Sequence, residues 1–293
     1  MKVLIAIDSF KGSLSSIECS KAISVGIKEV YQDAEIVTIP IADGGEGTVE
    51  ALVQATDGKY VETEVIGPLG RPVQAVYGIL GNGSTAVIEV AAACGLPLVP
   101  ENERNPYYTT TYGVGQQILD AIDKGCRDFI VGLGGSATND AGVGMLQALG
   151  YSFLDEENKE IGYGGLELQR IHKIEVGHVH KKLKDCTFKI ASDVNNPLAG
   201  ENGAAYIFGP QKGATPEMVE VLDKGLAHFA EVTLTQLKKD IQHISGAGAA
   251  GGLGAAFAGF LDAKIHSGID LLFEAVRMQE KMEGVSFVIT GEG

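Results

Sequence analysis

Apolar residues run without a break from Val3 to Ile7, the pattern of a strand buried on both faces. From Leu14 to Tyr31 the period changes. Ile23, Ile27, Val30 and Tyr31 recur at helical spacing, and Ser13 is placed to cap that helix. Glu35 to Ile41 reads as a second strand and Gly47 to Thr56 as a second helix. This β-α-β-α opening predicts a parallel α/β sheet. From about Lys59 the pattern shifts to short strands, Val61 to Ile66, Val73 to Leu80 and Ala86 to Val90, joined by Gly/Pro turns. That is the grammar of hairpins, so a domain boundary is expected near residue 60. A helix from Thr109 to about Lys124, strands at Phe129 to Leu133 and Phe188 to Ala191, a long amphipathic helix from Thr215 to Lys239 and a last strand from Val285 to Ile289 complete the pattern. A domain rarely closes on a strand and an uncovered glycine loop, so a continuation beyond Gly293 is expected. There is no internal repeat.

The chain has 293 residues, or two domains at about 150 residues each. With 45% hydrophobic and 21% charged residues it can build a packed core, which excludes a disordered chain. The 40 glycines have no three-residue period and lie beside apolar runs, which points to tight turns after strands. The formal charge is −15, from 23 basic and 38 acidic residues. Such a surface repels phosphate backbones and anionic lipid, so neither nucleic acid nor a membrane is the expected partner. An anionic substrate would need a local cationic pocket. Cys19, Cys94, Cys126 and Cys186 are far apart and form no C-x-x-C pair, as in a cytoplasmic protein with reduced thiols. The first residues read as a strand rather than a signal peptide, and no window of 18 residues is apolar and uncharged.

The candidate chemistry lies where strands end. Five apolar strands run into polar, glycine-bearing segments at residues 8–13, 42–47, 134–140, 192–196 and 290–293. Ligands of open α/β sheets bind outside the carboxyl ends of the strands. Each segment alone also reads as an ordinary turn; five together, all with Asp, Glu or Asn, favour a site. Gly134, Gly135, Ser136, Thr138 and Asn139 form the sharpest, a phosphate cradle of small residues and hydroxyls, with the positive end of a following helix expected to assist. It is not a Walker A loop, since no G-x-x-x-x-G-K-[ST] occurs. In the first loop Lys11 could neutralise a transferring phosphoryl group, and Asp8 could hold Mg²⁺ or accept a proton. Asp193, Asn195 and Asn196 offer oxygens suited to a hard cation or a hydroxylated substrate.

Other features read more blandly. Gly246 to Gly251 matches G-x-G-x-x-G, but the preceding residues, Leu237 to Ser245, look helical, so the dinucleotide-binding context is missing. Lys212 sits in a turn where it could face an anion or simply water. Arg71 lies in a hairpin turn and could bind a carboxylate. His178 and His180 lack a third ligand at credible spacing.

The segments AIDSFKGSLS (6–15), ADGGEGT (42–48), GLGGSATNDAG (132–142), SDVNNPLAGENGAA (192–205), FGPQKGA (208–214), GAGAAGGLG (246–254) and VITGEG (288–293) span the chain, and in this order the sequence resembles the bacterial type I glycerate kinase family. The resemblance implies ATP-dependent phosphorylation of D-glycerate with Mg²⁺, giving 2- or 3-phosphoglycerate. It implies a discontinuous flavodoxin-like parallel-sheet domain, residues 1–60 plus 270–293, and a larger inserted mixed α/β domain, residues 61–269, with the site between them. It also implies further strands and helices after the T-G-E-G loop, and a monomer or homodimer. It does not assign roles residue by residue. From residue type and loop position, Asp193, Asp8 and Lys11 are the catalytic candidates. Ser9, Asn195, Asn196 and Arg71 are candidates for the substrate, and Asp43 and Glu292 for the metal. Three other readings stay open: a kinase similar to the GHMP group acting on another small hydroxy acid, a nicotinamide-dependent oxidoreductase, and a non-catalytic nucleotide or metabolite binder.

Overall fold

The computed structural model describes residues 1–8, 10, 13–41, 45 and 47–292. In chain order the strands are β1 (Lys2–Ile7), β2 (Glu35–Pro40), β3 (Lys59–Ile66), β4 (Pro72–Ile79), β5 (Thr85–Glu89), β6 (Asp128–Gly132), β7 (Ser152–Leu154), β8 (Lys173–Glu175), β9 (Thr187–Ala191), β10 (Lys264–His266) and β11 (Phe287–Gly291). The helices are α1 (Ser16–Val30), α2 (Thr48–Ala55), α3 (Ala91–Cys94), α4 (Tyr112–Asp123), α5 (Val143–Ala148), α6 (Ala204–Phe208), α7 (Pro216–Leu237), α8 (Ala249–Phe260), α9 (Gly268–Ala275) and α10 (Met278–Met282). The fold is mixed α/β.

Two sheets carry it. The smaller has the order β11-β1-β2 and is parallel throughout. The larger has the order β10-β9-β6-β5-β4-β3. Its β10, β9, β6 and β5 are parallel, while β4 and β3 are antiparallel, as the hairpin pattern predicts. A short antiparallel pair, β7-β8, stands apart.

Alternation along the strands decides which helices cover which face. In β1, Val3, Ile5 and Ile7 pack with Cys19, Ile23 and Ile27 of α1. Leu4 points the other way, into a cluster that holds Leu52 of α2, Leu271 and Leu272 of α9, and Val87 and Ile130 of the larger sheet. The neighbours of those last two, Ala86, Ile88, Phe129 and Val131, face the main core under α4, α5, α7 and α8. Helices α2 and α9 therefore form an apolar slab between the sheets. Gly78 of β4 makes room for it, because a Cβ there would run into the Val53 side chain.

Three element ends differ from the sequence pattern, each for a local reason. Phe10 and Leu14 exchange backbone hydrogen bonds of 2.8 and 3.1 Å, which puts Ser13 in a turn. The cap of α1 is Ser15, in a reciprocal capping box with Glu18. Helix α4 begins at Tyr112 rather than Thr109, because Thr109 and Thr111 are buried and tied to the loop after β6. The residues before Gly246 are not helical: α7 ends at Leu237 with Lys238 left-handed. No described helix is long and apolar enough to cross a membrane.

Candidate functional site

The carboxyl ends of β6 and β9, neighbours in the larger sheet, open onto a cavity of about 280 Å³. Gly134, Gly135 and Ser136 line it from the loop after β6, and Ser192, Asp193 and Val194 from the loop after β9. Gly45 reaches it from the segment after β2, and Phe208, Gln211, Lys212, Ala249 and Ala250 close it. A larger cavity of about 520 Å³ opens at the opposite, amino ends of these strands, beside Asp128 and Thr187. It touches none of the candidate loops, so the smaller cavity is the chemically relevant one.

The glycine loop is pinned on both sides. Leu96 N–H donates to Gly135 O and Ala137 N–H to Cys94 O, at 2.9 and 2.8 Å. Gly135 takes a φ of +74°, which favours glycine there. These bonds leave the N–H groups of Gly134, Gly135 and Ser136 with no acceptor among the described residues, beside the cavity. Three unpartnered donors in succession suit phosphate oxygens.

Asp140 ends the loop and is 1% exposed. Its carboxylate accepts from Thr111 N–H (2.9 Å), Thr111 Oγ1 (2.8 Å), Gly142 N–H (3.1 Å) and Gly144 N–H (3.3 Å). Burial pushes its pKa up, while these four bonds favour the charged form. The expectation that the following helix offers free N–H groups to an anion is therefore corrected. Helix α5 has six residues, and Asp140 already takes the Gly142 and Gly144 donors at its start. The cradle is the loop itself.

Lys212, only 2% exposed, is buried behind this loop. Its Nζ donates to Ser136 Oγ at 2.9 Å and to Thr138 O at 2.6 Å. It sits at the end of a tight turn, Pro210–Lys212, closed by left-handed Gly213. Desolvation lowers its pKa to about 8. Thr138 and Asn139 are fully buried, and Thr138 Oγ1 and both amide atoms of Asn139 lack partners.

The G-x-G-x-x-G run serves as a splint. Gly248 N–H donates to Asn196 O, and Gly251 O accepts from Ala141 N–H, both at 3.0 Å. Ala250, Gly251 and Gly252 all have positive φ at the opening of α8. A Cβ on Gly251 would strike Thr138 O, so the run must be small to seat both loops.

The remaining candidates fall as follows. Gly134, Gly135, Ser136 and Asp193 share the cavity, with Thr138 and Asn139 behind it. Asn195 Oδ1 accepts from Ser245 Oγ at 3.1 Å, and Asn196 Nδ2 donates to Asn202 O at 2.9 Å; neither lines the cavity. Asp8 and Glu292 leave neighbouring strands just past the register pair Ile7–Gly291, and Asp8 N–H donates to Gly291 O at 3.0 Å. Both stand outside the cavity lining. Arg71 is exposed at the hairpin on the far edge of the larger sheet, paired with Glu103 at 3.2 Å. Ser9, Lys11 and Asp43 lie outside the described residues. No group of three His, Cys, Asp or Glu able to hold a metal occurs among the described residues.

Known proteins are similar to this chain over its whole length. The profile of the glycerate kinase family matches residues 3–293. A glycerate 2-kinase of Escherichia coli K12 is 50% identical over 293 residues, covering 100% of this chain and 77% of that protein. A glycerate kinase of Bacillus subtilis 168 is 49% identical, with 100% and 77% covered. The crystal structure of a chain named glycerate kinase 2, from Salmonella typhimurium LT2, superposes with a TM-score of 0.97 at 46% identity, covering 100% of this chain and 78% of that one. With its loops, its topology and its sequence in agreement, the chain belongs to the glycerate kinase family.

Proposed function

We propose that this protein is a glycerate kinase of the bacterial type I group, which phosphorylates a hydroxyl of D-glycerate at the expense of ATP in the cytoplasm. The observation that carries the reading is the meeting of the Gly134–Ser136 donors, the Asp193 carboxylate and the Lys212 ammonium around one cavity. We divide the chain into a unit of residues 1–60 plus 270–293 and one of residues 61–269, with the reaction between them. The small sheet supplies Gly45 to the lining, which fits that division.

The N–H groups of Gly134, Gly135 and Ser136 receive phosphate oxygens of the nucleotide. The hydroxyl oxygen of glycerate attacks the γ-phosphorus, the bond to the β–γ bridging oxygen breaks, and ADP leaves. The hydroxyl proton passes to the exposed carboxylate of Asp193. Lys11 and Ser9, which follow β1 in the sequence, are assigned to phosphoryl charge and substrate. Asn195 and Asn196, on the segment that follows Asp193, are the candidates for glycerate's polar groups, whereas Arg71 stands apart from this cavity. The E. coli relative carries the 2-position in its name, which favours the C2 hydroxyl here.

Mg²⁺ fits the donor chemistry. It is usually bound by one or two carboxylates plus phosphate oxygens and water, rather than by a protein cage. Asp8 and Glu292, side by side at the ends of β1 and β11, would hold it, with Asp43 as the third candidate. Bound there, it would neutralise charge on the β- and γ-phosphates.

The test is ATP-dependent turnover of D-glycerate, with phosphorus NMR of the product. A 2-phosphoglycerate resonance supports the reading. Consumption of no ATP in the presence of D-glycerate overturns it.

A further inference from the structure

Lys212 is the only basic side chain among the buried residues described. An ammonium has three donors, and the structure uses two of them, on Ser136 Oγ and Thr138 O. No carboxylate among the described residues comes within ion-pair distance of it. The nearby titratable groups do not supply the missing charge. Asp140 is near enough to favour the ammonium, but its oxygens serve Thr111, Gly142 and Gly144. The Cys94 thiol is pushed up to about 12 by burial and stays neutral. Asp193 is exposed across the cavity. An unpaired buried charge is costly to hold. Lys212 lines the cavity beside three N–H groups that have no acceptor among the described residues.

We propose that Lys212 is the buried counter-charge of the phosphate cradle: a positioning residue, set behind the loop by Ser136 and Thr138, whose ionic pairing is completed only when a phosphoryl group settles on Gly134–Ser136. The inference rests on the loop's reading as a phosphate cradle and does not depend on glycerate as the acceptor. A lysine that only pinned the loop by hydrogen bonds would give ligand affinity no dependence on its own proton. A counter-charge must.

The experiment is calorimetric titration of the full chain with ADP from pH 7.5 to 10 at constant ionic strength. Above about pH 8 the wild-type affinity should weaken, approaching tenfold per pH unit. Lys212→Met should bind at least tenfold more weakly at pH 7.5 and show a flat profile. A flat wild-type profile overturns the proposal. So does a slope that persists in Lys212→Met, which would belong to a group other than this lysine. Should the variant fail to fold, proton uptake by the wild type on binding ADP at pH 9 decides: near one supports the proposal and none overturns it. ADP bound with a flat profile removes this role and leaves glycerate phosphorylation standing. A sloping profile without turnover of D-glycerate does the reverse, and no ADP binding overturns both.

Discussion

Ser136 Oγ lies 2.9 Å from Lys212 Nζ, across 76 residues of sequence. That contact joins the loop after β6 to the turn after α6, and it puts a lysine behind the uncharged stretch Gly134–Asn139. In a chain of net charge −15, it is the local exception an anionic ligand needs.

The charge has a cost in the unliganded protein. The folded-state pKa of Lys212 falls from 10.5 to about 8 because burial disfavours the ammonium. Between those values the unfolded chain binds a proton that the folded chain does not, so stability rises with pH across that window. Below about pH 8 the full penalty applies, on the order of 3 kcal/mol. Urea unfolding should show wild type gaining on Lys212→Met as pH rises from 8 to 10.5. A constant difference between the two would contradict this.

Asp193 is the exposed carboxylate of the cavity. Asp193→Asn keeps its size and removes the proton acceptor. We expect kcat to fall by about 10²–10⁴, with the far-UV spectrum and ADP affinity kept. Steady-state kinetics with D-glycerate checks this, and a loss below about tenfold would exclude a general-base role.

Gly251→Ala drives a Cβ into Thr138 O from a left-handed position, φ +69°. Strain and clash together should cost about 2 kcal/mol or more. Because the push lands on the loop that holds Thr138, ADP binding should be impaired at temperatures where the variant is still folded. Parallel thermal melts with and without ADP would reveal it, as a lost ligand-induced shift in Tm.

Asp140→Ala removes the acceptor of four hydrogen bonds inside the core. The orphaned donors on Thr111, Gly142 and Gly144 should cost about 3–5 kcal/mol. A drop in the urea midpoint of that size, with an unchanged m-value, is the expected result.

Ser15→Ala breaks the capping box of α1 and should cost about 1 kcal/mol, whereas Ser13→Ala should stay within about 0.5 kcal/mol. The pair separates the observed cap from the one the pattern suggests. Equal effects would mean that the box contributes nothing.

This last contrast shows how far the sequence carries. Apolar runs disclose β1 and β6 because strands buried on both faces need no partner to be recognised, and the more exposed β2 and β9 still carry enough apolar residues to be seen. Glycine turns disclose the β3-β4-β5 hairpins for the same local reason. Between Ser13 and Ser15 the sequence does hold a clue, Glu18 three residues after Ser15 in the capping-box spacing, and the Phe10–Leu14 bridge that puts Ser13 in a turn agrees with it. The loop at residues 134–139 is legible from its small residues, but its support is not. Nothing near residue 212 says that its lysine is buried, and lysines seldom are. Asp140 looks like one more loop carboxylate until Thr111 is brought beside it. The G-x-G-x-x-G run is visible, yet its work is non-local: it carries backbone contacts to two loops that come earlier in the chain.

Gly248 and Gly251 stand three positions apart, and each grips a different loop of the cavity. Neither loop can wander alone, because both are moored to one short stretch of backbone. If the proposed site is right, the gap a phosphoryl group must cross is gauged by a single bend of the main chain, and a change at that bend would alter the reach between the two loops without touching either.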